Sequence, residues 1–94
     1  MELTAAQQKV LNEGVQKMIS AQSCRTSYEY FKKHMTGWRE SETALQIADR
    51  VFQDAQENIV DVYRAKHETL LKLEKLGYIE IVNIEYNKFR LVKW

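Results

Sequence analysis

Proline is absent from this 94-residue chain, and glycine occurs only at Gly14, Gly37 and Gly77. So few breakers leave room for long uninterrupted helices and exclude a loop-rich fold. The single cysteine, Cys24, has no partner for an internal disulfide, so a reducing, cytoplasmic setting is the expectation. No apolar run approaches the roughly 18 residues of a membrane span. The start, "MELTAAQQKV", lacks the basic stretch and apolar core of a secretory signal, so neither a membrane partner nor export is expected. A glycine-rich phosphate loop and a paired-carboxylate signature are also missing. Cys24 and His34 are a nucleophile and a base without a third orienting residue, and with His67 they show no short-range metal spacing. The expectation is a non-enzyme with no cofactor, no metal and no small-molecule substrate evident.

What is present is an ordinary globular composition. Hydrophobic residues make up 45% and charged residues 29%, which separates the chain from disordered sequences, and its length suits one domain over residues 1–94. A net charge of +1 decides little, but the charges are segregated. Arg25, Lys32, Lys33 and Arg39 make one stretch basic. Residues 40–61 are acidic through Glu40, Glu42, Asp49, Asp54, Glu57 and Asp61, against a lone Arg50. From Arg64 onward the chain turns mildly basic. Segregation of this kind suggests an oriented electrostatic surface.

Periodicity predicts a mainly α fold with a C-terminal β-hairpin. Thr4 caps a first helix over residues 4–22, whose face carries Val10, Leu11, Val15, Met18 and Ile19, with Leu3 as a staple and Gly14 as a tolerated weak point. Residues 23–39 admit two readings: a short helix capped at Ser27 and stopped near Gly37, or a strand begun by Tyr28 and Tyr30. Ser41 caps a helix over residues 41–55, with Ala44, Leu45, Ile47, Ala48, Val51, Phe52 and Ala55 in one arc. Asn58 and Asp61 resemble a capping pair for a further helix from about Ile59 to Leu76, with Ile59, Tyr63, Leu70 and Leu73 inward and Gly77 as its stop. Lys66 falls close to that apolar stripe, at odds with the phase. A hairpin turning at Tyr86–Asn87 follows. It would pair Glu85 with Lys88, Ile84 with Phe89, Val82 with Leu91 and Glu80 with Lys93, and put Ile79, Ile81, Val92 and Trp94 on the other face.

The run "LLKLEKLGYIEIV", followed by "NKFRLVKW", resembles the recognition helix, exit and wing of the winged helix-turn-helix superfamily. The resemblance rests on residues 41–94, with residues 4–22 fitting the first helix. It implies three or four helices plus a wing, and a small sequence-specific protein that regulates transcription on double-stranded DNA. The helix over residues 59–76 would enter the major groove while the hairpin touches the backbone. By position, the DNA-binding residues would be Arg64, Lys66, His67 and Lys72 on the helix, with Asn87, Lys88 and Arg90 on the wing. Arg and Lys neutralise phosphate, Arg forks onto guanine, and Asn pairs with adenine. Two apolar hairpin faces and the absence of an effector domain imply a homodimer.

The pattern departs from the family at its second helix, which is long and turns Glu42, Asp49 and Asp54 outward, where phosphates would be repelled. The alternative is therefore a protein-interaction module of the same fold, docking through that acidic helix. On the next helix, Arg64–Glu68 and Glu68–Lys72 stand at spacings that suit mutual pairing. The basic stretch 25–39, with Tyr28, Tyr30, Phe31 and Trp38 interleaved, either flanks DNA or supplies core.

Overall fold

Helix α1 (Ala5–Gln22) opens on a complete capping box: Thr4 Oγ1 accepts from the Gln7 N–H, and the Gln7 side chain accepts from the Thr4 N–H. The computed structural model describes residues 3–94. Helix α2 (Ser27–His34) is capped by Thr26 rather than Ser27, and it resolves the two readings of residues 23–39 in favour of helix. Helix α3 (Glu42–Gln56) starts at Ser41, whose hydroxyl accepts from the Ala44 N–H, as its sequence suggests. None of the described helices is long and apolar enough to cross a membrane.

Beyond α3 the structure corrects the sequence reading. Residues 59–76 are not one helix. Asn58 takes a left-handed conformation (φ 61°), and Ile59–Asp61 forms strand β1, followed by a turn over residues 62–66 and helix α4 (His67–Lys75). The β-branched pair Ile59–Val60 gains more from a sheet ladder than from helix propagation. Asn58 and Asp61 are not a capping pair. The Asn58 carbonyl accepts from the Leu91 N–H at 2.8 Å, and its side chain accepts from Gln22 Nε2 at 2.9 Å. Helix α4 does stop where expected. Gly77 (φ 86°) lets its own N–H reach the Glu74 carbonyl and the Tyr78 N–H reach the Leu73 carbonyl, both at 3.0 Å.

Strands β2 (Ile79–Asn83) and β3 (Lys88–Leu91) complete an antiparallel sheet in the order β1-β3-β2. The hairpin register also differs from the expected one. Phe89 faces Ile81, Leu91 faces Ile79, and Arg90 faces Glu80, because residues Ile84–Tyr86 coil into a single 3-10 turn instead of extending the ladder. An odd shift of register exchanges faces. Ile79, Ile81, Phe89 and Leu91 therefore turn inward together, while Val82, Val92 and Trp94 stay exposed.

Four helices with this small sheet are compatible with a winged-helix-like arrangement. In the chain order seen here, α4 is preceded by β1 and a turn, not by another helix.

The main core lies between α1, α4 and the sheet, built on Leu11, Met18, Leu70, Leu73, Phe89 and Leu91. Phe31 and the small residues Ala44 and Ala48 form a satellite where α2 crosses α3. Of the interleaved aromatics, Phe31 is core and Tyr30 half-buried, while Tyr28 and Trp38 are largely exposed. One backbone group on each outer edge of the sheet is engaged by a side chain from a helix. The Glu74 carboxylate accepts from the Ile81 N–H of β2 at 2.7 Å, and Lys17 donates to the Asp61 carbonyl of β1.

Gly14 is a packing requirement rather than a weak point. A Cβ there would stand 3.2 Å from Phe89 Cζ and 3.4 Å from Val60 Cγ2. Alanine would gain about 1 kcal/mol of helix propensity, but forcing a methyl into a filled core typically costs about 1–3 kcal/mol. With Phe89 completely buried, we expect Gly14→Ala to lose about 1 kcal/mol net in urea denaturation.

A pH dependence follows from Tyr30, which borders a cavity of about 200 Å³ between α1, α2, α3 and β1. Burial, and then Asp61 and Cys24, push its phenol above the ordinary value of 10.0. Between the unfolded and the raised folded value, the unfolded chain loses this proton first, so stability drains away as pH rises. Tyr30→Phe should remove that part of the alkaline decline, and parallel decline of both proteins above pH 10.0 would refute the assignment.

Candidate nucleic-acid interface

The turn between β1 and α4 alternates in burial. Val62 and Ala65 point into the core, while Tyr63, Arg64 and Lys66 point out. It is held by one residue of the hairpin, Asn87. The Asn87 carbonyl accepts from the Val62 N–H at 3.2 Å. Its side-chain nitrogen donates to three carbonyls, those of Val62 (3.1 Å), Tyr63 (3.0 Å) and Ala65 (2.8 Å). Two amide hydrogens shared by three acceptors make this a saturated donor, and the surrounding carbonyls identify which end of the amide is nitrogen. Asn87 sits at φ 52°, a left-handed conformation that asparagine tolerates better than most residues, and it closes the 3-10 turn through its N–H to the Ile84 carbonyl.

Arg64 and Lys66 meet Lys9 of α1 around a cleft of about 200 Å³ floored by Val10 and Val62. Among the described residues, Glu13 is the one acid on its rim. Among the described residues, none of these three cations forms an ion pair, whereas Lys17, Lys32, Lys72, Lys88 and Arg90 all do. Lys66 is also the N-cap of α4, and its side chain makes no capping hydrogen bond. An ammonium has no acceptor to offer, so the first-turn N–H groups of α4 add their positive end to the collar.

The other flank of the turn borders a groove of about 610 Å³ shared with α3 and the hairpin tip. Tyr63 and Tyr86 stand on its rim, exposing 87% and 69% of their surface, with His67 and Arg50 between the same elements. Asp54 and Asp61 also line it, neutralised by Lys88 at 3.1 Å and Lys17 at 3.6 Å.

The seven residues expected at a DNA surface thus divide. Arg64 and Lys66 come together at one cleft, in a turn and at a helix start rather than along a helix face, while His67 borders the groove on the other flank. Lys72 lies on α4 and pairs with Glu68 at 3.5 Å. Asn87 is not on an exposed wing: it is 8% exposed, and its amide is consumed by the turn. Lys88 is turned onto Asp54 of α3, and Arg90 lies across the sheet on Glu80 and the Glu57 carbonyl. Sequence reasoning missed Lys9, Tyr63 and Tyr86. Tyr63 was assigned to a buried stripe, and the misfit of Lys66 on that same stripe was the available sign that no helix runs through these residues. Cys24 and His34 are each engaged locally, the thiol with the Ser20 carbonyl at 3.6 Å and the imidazole with the Tyr30 ring at 4.9 Å.

Compared with protein-family models, with curated proteins and with solved structures, the chain finds no match.

The Asn87 staple has a sharp chemical test. Asn87→Asp keeps the shape but replaces the donor with a carboxylate facing three carbonyls, and leaving buried polar groups unpaired costs about 1–3 kcal/mol each. We expect a loss of about 3 kcal/mol or more in chemical denaturation. A loss below about 1 kcal/mol would show the turn to be held by other contacts.

Proposed function

We propose that this chain is a small DNA-binding protein whose hold on the phosphate backbone comes from the collar of Lys9, Arg64 and Lys66 at the start of α4. The observation that carries the reading is three cations around one cleft, with Glu13 on the rim but no ion pair to any of them among the described residues, beside a helix N-terminus that no side chain caps. Ion pairs within the fold engage Lys17, Lys32, Lys72, Lys88 and Arg90, whereas Lys9, Arg64 and Lys66 share one cleft and form none among the described residues. Backbone N–H groups at a helix start and flexible ammonium groups suit phosphate oxygens without any demand on sequence.

The finer part of the proposal is a winged-helix-like protein that reads double-stranded DNA and regulates transcription. On α4, the exposed His67 and Lys72 are the side chains this reading directs toward base edges. Pairing of two copies belongs to this finer reading and draws on the exposed Val82, Val92 and Trp94. A second reading, docking of a protein partner on α3, draws on Glu42 and Asp49, which are exposed and form no ion pair among the described residues.

Salt dependence separates the two. Duplex DNA should bind at low salt and dissociate steeply as salt rises. Each phosphate contact contributes roughly 0.9 to the slope of log affinity against log salt, so replacing Lys9, Arg64 and Lys66 together by alanine should lower the slope by about 3. No binding at about 50 mM salt would rule out the DNA reading, and binding whose slope ignores the triple substitution would move the contact elsewhere on the surface.

A further inference from the structure

We infer that the groove between α3, the turn 62–66 and the hairpin tip captures unpaired nucleobases, with Tyr63 and Tyr86 as its stacking surfaces, so that the preferred ligand is single-stranded DNA. This rests on the phosphate-binding reading of Lys9, Arg64 and Lys66 and takes the place of duplex reading by α4. Tyrosine in a turn that leaves 87% of its surface exposed contributes almost nothing to the core, and the same holds for Tyr86 at 69%. Both tyrosines border one groove, whose volume of about 610 Å³ is within the usual range for ligand sites.

The two rings are also tied to one anchor. Tyr86 directly precedes Asn87, and the Tyr63 carbonyl accepts from the Asn87 amide at 3.0 Å. The backbones that carry the rings are therefore fixed relative to each other before any ligand arrives, which lowers the ordering cost of binding.

The charge pattern fits a strand laid across the turn. Arg64 follows Tyr63 directly, so a backbone on the collar side brings its bases to the ring side. The carboxylates that would repel phosphate, Asp54, Asp61 and Glu85, lie on the base side of this crossing. Asp54 and Asp61 are neutralised there by Lys88 and Lys17. Carboxylates beside a stacked base accept hydrogen bonds from its ring N–H or amino groups. Arg50 and His67 add donors for carbonyl oxygens on the base edge. A paired duplex offers its stacked bases only edge-on, whereas a single strand presents both faces to the tyrosines.

The test compares a labelled oligothymidylate with a blunt duplex of equal length by fluorescence anisotropy. The wild-type chain should bind the single strand about tenfold tighter or more, on the scale of one or two base–aromatic stacks. Tyr63→Ala and Tyr86→Ala should each weaken single-strand binding roughly tenfold while leaving duplex binding and the salt slope unchanged. Tyr63→Phe and Tyr86→Phe should keep wild-type affinity, because stacking needs the ring and not the hydroxyl. Both side chains are exposed, and circular dichroism confirms that the variants stay folded.

Equal affinity for the two probes, or single-strand binding indifferent to the alanine substitutions, overturns base capture. So does a phenylalanine variant as weak as the alanine one. The Lys9/Arg64/Lys66 triple variant distinguishes the failures. If it weakens both probes while the tyrosines are silent, base capture alone is wrong; if it weakens neither, the phosphate reading falls with it.

Discussion

One side-chain amide organises the C-terminal half of this protein. Asn87 lies at the junction of the 3-10 turn and the central strand β3, and it donates into a turn more than twenty residues away in sequence. Without that donor, the buried Ala65 carbonyl would lose its side-chain partner, and the Val62 carbonyl would keep only the Ala65 N–H. Buried carbonyls left without a partner are rarely tolerated. The same contact decides where α4 begins, because the residues whose carbonyls Asn87 holds cannot propagate a helix. It also fixes which side chains leave the surface there, and those are the cations and the ring on which the functional reading stands.

Local chemistry was legible in the sequence; pairing at a distance was not. Thr4, Ser41 and Gly77 act within one turn of themselves, through a hydroxyl near an N–H or a glycine free to adopt positive φ, so their helices are recognisable from neighbouring residues alone. Ile59–Asp61 is a strand only because Lys88–Arg90 lies beside it. Taken by themselves, its residues also fit a helical stripe. The hairpin failed for a related reason. Alternating apolar residues satisfy more than one register, and the contact that selects among them is the Asn87 staple, which periodicity does not reveal.

The candidate site shows the same division. Arg64, Lys66 and His67 are suggested by their chemistry, but the turn sends Arg64 and Lys66 to one flank and His67 to the other. Lys88 and Arg90 have the same chemistry, yet they are drawn to Asp54 and Glu80 by partners that only the fold supplies. Lys9, far away in sequence, joins the cluster because α1 packs against the turn. Which cations remain free is a property of the whole structure, since each ion pair elsewhere removes one candidate.

The Glu74 carboxylate on the Ile81 N–H and the Lys17 ammonium on the Asp61 carbonyl bear on how this molecule can grow. Sheet edges are the usual template for runaway assembly, because an open row of donors and acceptors welcomes any extended chain. Here each border strand has one of those groups already satisfied by a charged side chain from a helix. An incoming strand would have to displace a carboxylate on one side or an ammonium on the other. Each edge of the sheet therefore carries one charged group that disfavours strand addition.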